Sequence, residues 1–286
     1  MKIIIESGAT KADWRAISLS GEHLSVKSEG INTASMTGDK IRQILDETAP
    51  IITSSGETVS KIYFYAAGLI VKQGEPLPET VRAFDLLLKR YFPKADVEYA
   101  SDLLAAARAL CADKPGIVAI LGTGSNSCLY DGSNIVRNIR SGGFILGDEG
   151  GAAALGRMFI ADLIKDLTPE SLATEFREKY DLDYANVVAK VYKGAAPSGY
   201  LGSFAPDIMM HYADSEYVRD LVHANFGAFF DRVLTRYDTS AYSVGITGTF
   251  AYVCREILEK IAKEKGVTIS KILKAPIDGL VAYHSL

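Results

Sequence analysis

Small and polar residues in the middle of the chain have the composition of a site for a phosphorylated ligand. Residues 122–127 follow an apolar run and include Thr123, Gly124, Ser125 and Asn126. Glycine leaves room for a ligand to reach backbone N–H groups, and the hydroxyls and amide add further polar contacts. The pattern therefore predicts a phosphate-binding turn, although a strand, a Gly-Thr-Gly turn and a second strand also describe an ordinary hairpin.

A second group of this kind, residues 142–151, places Asp148 and Glu149 between glycines and directly before a predicted helix start. A ligand can approach the backbone closely at such a position, so we expect a polar ligand or Mg²⁺ to contact these acidic groups. The alternative is an exposed turn, or an acidic pair that stabilises the helix N-terminus. We expect both groups to face one ligand.

The N-terminus has the same arrangement of a strand, a small polar turn and a second strand. The β-branched run 2–5 leads into residues 6–11, which include Gly8 and Thr10, and a strand-like segment follows. Residues 117–131 repeat this arrangement about one domain length further along the chain. An internal duplication is our working hypothesis, and a coincidental match is the alternative.

Phosphoryl transfer requires donors for the nucleotide phosphates, a carboxylate near Mg²⁺ and a carboxylate that accepts the proton of the attacking hydroxyl. Glu6 supplies a carboxylate in the N-terminal turn. Asp102 follows a predicted strand and opens an alanine-rich helix, a place where α/β folds gather ligands. Asp102 and Asp148 are the candidates for the base and for ligand contact, while a helix cap is a simpler role for Asp102.

Other nucleotide and metal motifs are missing from the sequence. It has no Gly-x4-Gly-Lys-Ser/Thr segment, and the dinucleotide pattern that starts at Gly122 reaches Ser127 where it requires glycine. The histidines lack metal-ligand spacing. The 3 cysteines form no Cys-x-x-Cys pair, which argues against a disulfide framework or zinc and favours a reducing cytoplasm.

Composition and charge describe an ordinary globular protein. The 286 residues are 48% hydrophobic, enough for the cores of two ordinary domains or one large one. A net charge of -4 provides no basic surface for nucleic acid, which we do not expect as a partner. No apolar segment approaches the length of a membrane span, so we expect a cytoplasmic protein without a membrane partner.

Hydrophobic periodicity alternates between strands and helices in the remaining segments. The main predicted elements are strands at 61–67 and 97–100 and helices at 78–91, 215–236 and 276–286. A further strand at 242–246 leads into Gly248 and a helix, a corner typical of nucleotide-binding folds. The alternation predicts α/β layers.

Taken together and in order, five segments resemble the BadF/BadG/BcrA/BcrD ATPase family, and within it the N-acetylglucosamine kinases most of all. The segments, which extend over nearly the whole chain, are 6–11, 101–102, 122–126, 142–151 and 245–249. The resemblance implies an α/β fold of two ribonuclease-H-like, actin-like ATPase domains with a nucleotide in the cleft between them. We expect an N-terminal domain at 1–112 plus 270–286 and a C-terminal domain at 113–269.

The resemblance also implies roles for single residues. Glu6 stands where the family usually has Asp and would position the metal, and Asp102 would be the general base for a sugar hydroxyl. The residues expected to contact ATP are Gly8, Thr10, Lys11, Thr123, Gly124, Ser125 and Gly248. The residues expected to contact the sugar are Asn32, Asn126, Gly143 and Asp148. Phe144 stands where the family kinases often have Trp, which puts the sugar-stacking wall in question.

The activity implied is ATP-dependent phosphorylation of an amino sugar, above all N-acetylglucosamine, with ATP and Mg²⁺ as cofactors. One alternative is an ATP-driven activator of a redox partner, whose family branch binds an iron-sulfur cluster through cysteines. The other is a non-catalytic sensor of sugar or nucleotide, in which Glu6 has disabled the metal chemistry. The expected partners are the amino sugar and ATP, and a homodimer is left open.

Overall fold

The computed structural model describes residues 1–8, 11–71 and 75–285, which fall into two units. Unit 1 comprises Met1–Asp113, Gly132–Asn134 and Ala275–Leu286, and unit 2 comprises Lys114–Asp131 and Ile135–Lys274. The domain bounds that we expect from the sequence, 1–112 plus 270–286 and 113–269, stay a prediction. Among the helices in the described ranges, none is both long and apolar enough to cross a membrane.

Unit 1 begins with antiparallel strands and continues with alternating helices and strands. Its elements are β1 (Lys2–Ser7), β2 (Lys11–Ile17), β3 (His23–Glu29), α1 (Gly38–Ile52), β4 (Lys61–Ala66), α2 (Glu79–Tyr91), β5 (Asp96–Ser101) and α3 (Asp102–Cys111). The sheet order is β3-β2-β1-β4-β5, with the first three strands antiparallel and β1, β4 and β5 parallel. Strand pairing extends through Ser7, so Glu6 lies in β1 and its expected place in the turn is wrong.

Unit 2 repeats this strand arrangement and adds many helices. Its elements are β6 (Gly116–Leu121), β7 (Ser125–Tyr130), β8 (Ile135–Ile139), α4 (Gly143–Leu146), α5 (Ala152–Leu163), α6 (Glu170–Lys179), α7 (Tyr184–Tyr192), α8 (Pro197–Gly202), α9 (Ala205–Met210), α10 (Glu216–Arg232), β9 (Val244–Thr247), α11 (Thr249–Val253), α12 (Arg255–Glu264) and β10 (Ile269–Leu273). The final helix, α13 (Ile277–Ser285), belongs to unit 1.

The two sheets have the same topology. The unit 2 order, β8-β7-β6-β9-β10, again joins three antiparallel strands to a parallel set. This topology confirms the α/β fold class and the repeated strand, turn and strand. It also contains three strands that periodicity did not reveal, β3, β8 and β10, because each lies at a sheet edge and few of its side chains are buried.

The two faces of the unit 1 sheet differ in chemistry. Ile3, Ile5 and Trp14 are fully buried in one apolar cluster with residues of α1 and α2. Successive side chains of a strand point to opposite faces, so Glu6 and its β4 neighbour Tyr65 lie on the other face. The helices α3 and α13 pack on that face, which places Glu6 on the same side of the sheet as the start of α3.

The core of unit 2 buries one face of its sheet against α5 and α10. Leu121 and Ile246 from the sheet share a cluster with Phe159 of α5 and Phe226 of α10, and all four side chains are fully buried. The helix α10 is shorter than the expected 215–236, because a separate 3₁₀ turn follows it. Its central residues are nevertheless well anchored in the core.

Candidate functional site

Glu6, near the carboxyl end of β1, is surrounded by other carboxylates of unit 1. Strand pairing sets it directly opposite Asp13, which is buried. Burial, and then repulsion from Asp13 and Asp102, raises the pKa of Glu6 from its ordinary value of 4.5 to about 7. Lys11 opposes this rise without cancelling it. The cluster is therefore a place where a cation would relieve repulsion between carboxylates.

Asp102 is the first residue of α3 and follows β5 directly. Ser101 caps the helix by accepting the Leu104 N–H at 3.2 Å, so the simpler interpretation of Asp102 as the cap is wrong. The Oδ1 atom of Asp102 accepts the Leu103 N–H at 2.8 Å, which orients the carboxyl group. Burial raises the pKa of Asp102 from 3.8 to about 6. A carboxylate with a pKa near neutrality is well suited to accept a proton.

Of the other expected ligand residues of unit 1, Gly8 follows β1, Lys11 begins β2 and Asn32 lies in the loop after β3. The Gly8 N–H donates to the Lys11 carbonyl at 3.0 Å, which joins the end of β1 to the start of β2. Asn32 follows Ile31, whose N–H donates to the Ser7 hydroxyl at 2.7 Å and ties this loop to the end of β1. Thr10 lies outside the residues that the structure describes. The roles of Gly8, Lys11 and Asn32 stay predictions.

In unit 2, the turn between β6 and β7 is held by the first residues of α5. The Gly122 N–H donates to the Gly124 carbonyl at 3.0 Å and closes the turn. The first two N–H groups of α5, from Ala152 and Ala153, donate to the carbonyls of Gly122 and Thr123 at 2.9 and 2.8 Å. The structure thus brings together the two groups of small polar residues that the sequence analysis expected to face one ligand.

The Asp148 carboxylate lies directly against this turn. Its Oδ1 atom accepts the Ser125 N–H at 3.2 Å, and a Cβ at Gly124 would lie 2.7 Å from its Oδ2 atom. An alanine at position 124 would therefore force the Asp148 carboxylate to shift. Burial raises the pKa of Asp148, and hydrogen bonds from Ser125 and Ser141 oppose that rise. Of the residues expected to bind ligand in unit 2, Gly124, Ser125 and Asp148 are in contact.

The remaining expected residues of unit 2 lie in β7, at the start of α4 and after β9. The Asn126 side chain accepts from the Asn138 amide at 2.9 Å, so its carbonyl oxygen is already engaged. Gly143 begins α4 with a φ of 70°, and Gly248 has a φ of 130° where β9 ends. A Cβ at Gly248 would lie 2.2 Å from the Leu121 carbonyl oxygen, so this corner requires glycine.

Two polar residues near these positions were missed from the sequence. In the sequence, Asp13 has the pattern of an ordinary strand residue. Its proximity to a second carboxylate becomes visible only when the strand register places it opposite Glu6. Thr247, the last residue of β9, is buried, and its hydroxyl has no hydrogen-bond partner among the described residues. Its position directly before Gly248 was the signal that could have drawn attention to it. A buried hydroxyl without a protein partner is available for a hydrogen bond to a ligand.

Comparison with solved structures identifies the family. A putative N-acetylglucosamine kinase from Porphyromonas gingivalis is 37% identical, with a TM-score of 0.89, and the match covers 99% of this chain and 98% of that chain. The chain belongs to this family of N-acetylglucosamine kinase-like proteins. The predicted resemblance to these proteins and the two-domain actin-like ATPase fold are thereby confirmed.

Two more distant solved structures are similar to the chain in fold alone. A putative N-acetylglucosamine kinase from Chromobacterium violaceum has a TM-score of 0.72 and 15% identity, over 99% of this chain and 98% of that chain. A ROK family glucokinase from Streptomyces griseus, in complex with glucose and AMPPNP, has a TM-score of 0.56 and 17% identity over 99% and 98%. No family model and no curated protein matches the chain, so the BadF/BadG name stays a prediction.

The carboxylates of unit 1 fit a magnesium ion shared with a nucleotide. In the described part of the chain, no three His, Cys, Asp or Glu side chains are arranged to hold a metal by themselves. Mg²⁺ commonly uses only one or two carboxylates and completes its octahedron with phosphate oxygens and water. Glu6 and Asp13 provide such a pair: repulsion from Asp13 adds to the effect of burial in raising the pKa of Glu6, and the exposed Lys27 lies 3.9 Å from an Asp13 oxygen.

Proposed function

We propose that the protein is an ATP-dependent sugar kinase that phosphorylates a hydroxyl of an amino sugar, N-acetylglucosamine above all. The observation that carries this proposal is the full-length match to the Porphyromonas gingivalis protein at 37% identity. We assign the role of base to the partly exposed Asp102 at the start of α3, because its pKa of about 6 suits a proton acceptor. The AMPPNP bound to the Streptomyces griseus glucokinase supports ATP as the phosphoryl donor.

In the proposed reaction Asp102 accepts the proton of a sugar hydroxyl. The hydroxyl oxygen forms a bond to the γ-phosphorus of ATP, the bond from that phosphorus to the bridging oxygen breaks, and ADP leaves with the electron pair. The Leu103 N–H holds the Asp102 carboxyl group in place. Glu6 and Asp13 would hold Mg²⁺, directly or through water, and the ion would neutralise charge on the phosphates.

The contacts proposed for the substrates follow the sequence expectations. Those assigned to ATP are Gly8, Thr10, Lys11, Thr123, Gly124, Ser125 and Gly248, and those assigned to the sugar are Asn32, Asn126, Gly143 and Asp148. The close packing of Asp148 on Gly124 and Ser125 supports a common role for these three residues. The cytoplasmic location, the homodimer and the absence of a nucleic acid partner also stay predictions.

The proposal is tested by measuring ADP release from Mg-ATP with N-acetylglucosamine, with glucosamine, with glucose and without sugar. We expect N-acetylglucosamine to give the largest stimulation. Asp102→Asn should lower that turnover by about 100-fold or more, because the amide keeps an acceptor for the Leu103 N–H but cannot take a proton. Asp39→Asn is the matched control, since Asp39 is an exposed acid in the first turn of α1.

Two results would count against this function. Stimulated turnover that persists in Asp102→Asn would remove Asp102 as the base. If no sugar raises ADP release while ATP or sugar still binds, the sugar kinase assignment fails in favour of a sensor or an ATPase that acts on a protein partner. Equilibrium binding of a labelled ATP analogue, measured beside turnover, shows whether the protein still binds nucleotide when no sugar raises ADP release.

A further inference from the structure

A buried amide on α10 contacts the loop that carries Asp148. Asn225 is 2% exposed and lies in the middle of the helix. Its Oδ1 atom accepts the Gly150 N–H at 3.0 Å, and its Nδ2 atom donates to the Gly151 carbonyl at 3.2 Å. One side chain thus satisfies a donor and an acceptor on neighbouring residues of the loop. In an apolar core, a polar group is tolerated when it is paired in this way.

The loop held by Asn225 has a demanding backbone. Asp148 adopts a φ of 56°, a value that residues with a side chain rarely adopt, and Gly150 adopts a φ of 79°. A Cβ at Gly147 would lie 1.8 Å from the Ser141 carbonyl oxygen, so the chain passes very close to its neighbour there. Such a backbone persists only where surrounding contacts enforce it.

A chain of hydrogen bonds joins Asn225 to the turn between β6 and β7. The Gly151 N–H donates to the Asp148 carbonyl at 3.0 Å, which closes the loop around the peptide groups that Asn225 holds. The Asp148 carboxylate in turn accepts the Ser125 N–H at 3.2 Å. The position of the carboxylate on the turn therefore depends on the loop backbone.

We propose that Asn225 is a positioning residue that fixes the Asp148 carboxylate on the Gly124–Ser125 turn. Its two hydrogen bonds select the left-handed backbone at Asp148 and Gly150, and this backbone aims the carboxylate at the turn. The ligands assigned to the turn rest on the proposed function, whereas the geometry does not.

A second side chain of α10 also reaches the loop but contributes less. Arg232, two helical turns after Asn225, places Nη1 2.7 Å from a carboxylate oxygen of Glu149. The Arg232 side chain is 66% exposed, and ion pairs in contact with water contribute little to stability. Asn225 is buried and forms two bonds to the backbone, so we expect it to be the principal restraint.

Hydrogen exchange of single amides tests the proposal without reference to activity. In Asn225→Ala we expect the amides of Gly150 and Ser125 both to exchange at least about tenfold faster than in the wild type. Ser125 does not contact Asn225, so faster exchange at Ser125 reports that the carboxylate has moved. Tyr217→Phe is the matched control, because it removes a hydrogen bond that Tyr217, in the first turn of α10, donates to Asp162 of α5. Its Ser125 amide should exchange as in the wild type.

Kinetics provide the second measurement. For Asn225→Ala, kcat/KM for N-acetylglucosamine should fall on the order of 10- to 100-fold, because a small displacement of a binding group is costly. Asn225→Ser replaces the amide with a hydroxyl that is too short to hold both peptide groups, so it should exchange and react at intermediate rates. This variant carries the test if Asn225→Ala does not fold.

The proposal is overturned if folded Asn225 variants exchange Ser125 at the wild-type rate. It is also overturned if their kcat/KM falls no further than that of Tyr217→Phe. A wild-type protein without sugar kinase activity would refute the proposed function alone, since the exchange measurement still decides the role of Asn225.

Discussion

Replacing Glu6 with Gln should remove a pH-dependent penalty from unit 1. The pKa of Glu6 in the folded protein is about 7, above its ordinary value of 4.5, because of burial and of repulsion from Asp13 and Asp102. The folded state therefore binds the proton more tightly than the unfolded chain. By linkage, this contribution to stability is fully present below pH 4.5 and is lost as the pH rises through about 7.

The size of the effect follows from the same values. A rise from 4.5 to about 7 corresponds to about 3 kcal/mol, since each tenfold change in proton affinity is worth about 1.4 kcal/mol. Glu6 retains some exposure, and screening by water reduces this to about 2 kcal/mol. Relative to the wild type, Glu6→Gln should thus gain about 2 kcal/mol in unfolding free energy between about pH 5 and about pH 8.

The single tryptophan makes unit 1 observable by itself. Trp14, the single tryptophan of the sequence, lies fully buried in β2. Its fluorescence during urea unfolding therefore reports on the sheet that contains Glu6. The titrations are run in EDTA to keep divalent cations away from the carboxylates. Glu47→Gln, which replaces an exposed acid of α1, should follow the wild type at every pH. An equal difference between Glu6→Gln and the wild type at both pH values would refute the reasoning.

Three further changes test other parts of the structure. Gly124→Ala should push the Asp148 carboxylate aside, because the new Cβ would lie 2.7 Å from Oδ2, and calorimetry should show a loss of about 1–3 kcal/mol. Gly248→Ala should cost more, since its Cβ would lie 2.2 Å from the Leu121 carbonyl oxygen at a φ of 130°; wild-type thermal unfolding would contradict this. Burial lowers the pKa of His284 from 6.5 to about 4. The neutral His284 therefore contributes to the free energy of unfolding above pH 6.5, and this contribution is lost as the pH falls towards 4. His284→Gln should flatten that acid-side decline in urea titrations.

Features encoded by neighbouring residues could be predicted from the sequence. The start of α3 is an example, because a β strand, a serine cap and an alanine-rich run lie next to one another and each favours the same boundary. The turn at residues 122–125 is another, since its small residues are required by contacts such as that of Gly124 with Asp148. In both cases the local preference and the folded structure agree.

Features that depend on strand register or on distant helices could not be predicted. Asp13 carries an acidic side chain in a strand, and only pairing with β1 reveals that it faces Glu6. Asn225 is separated by 75 residues from the Gly150 N–H that it accepts, and its helix has no sequence feature that distinguishes this amide from a surface residue. Edge strands such as β3 were missed because their mostly exposed side chains do not alternate.

The position of Asp148 bears on which ligand its surroundings recognise. The resemblance assigned Ser125 to phosphate and Asp148 to sugar, yet the Asp148 carboxylate occupies the Ser125 N–H and lies beside Gly124. An ionised carboxylate repels a phosphate at that distance and accepts hydrogen bonds from hydroxyl groups. The lone pairs that Ser125 and Ser141 leave unused on the Asp148 carboxylate can therefore accept from a sugar hydroxyl while Oδ1 stays on the turn. We therefore propose the sugar, in place of a phosphate, as the ligand at Ser125 and Asp148.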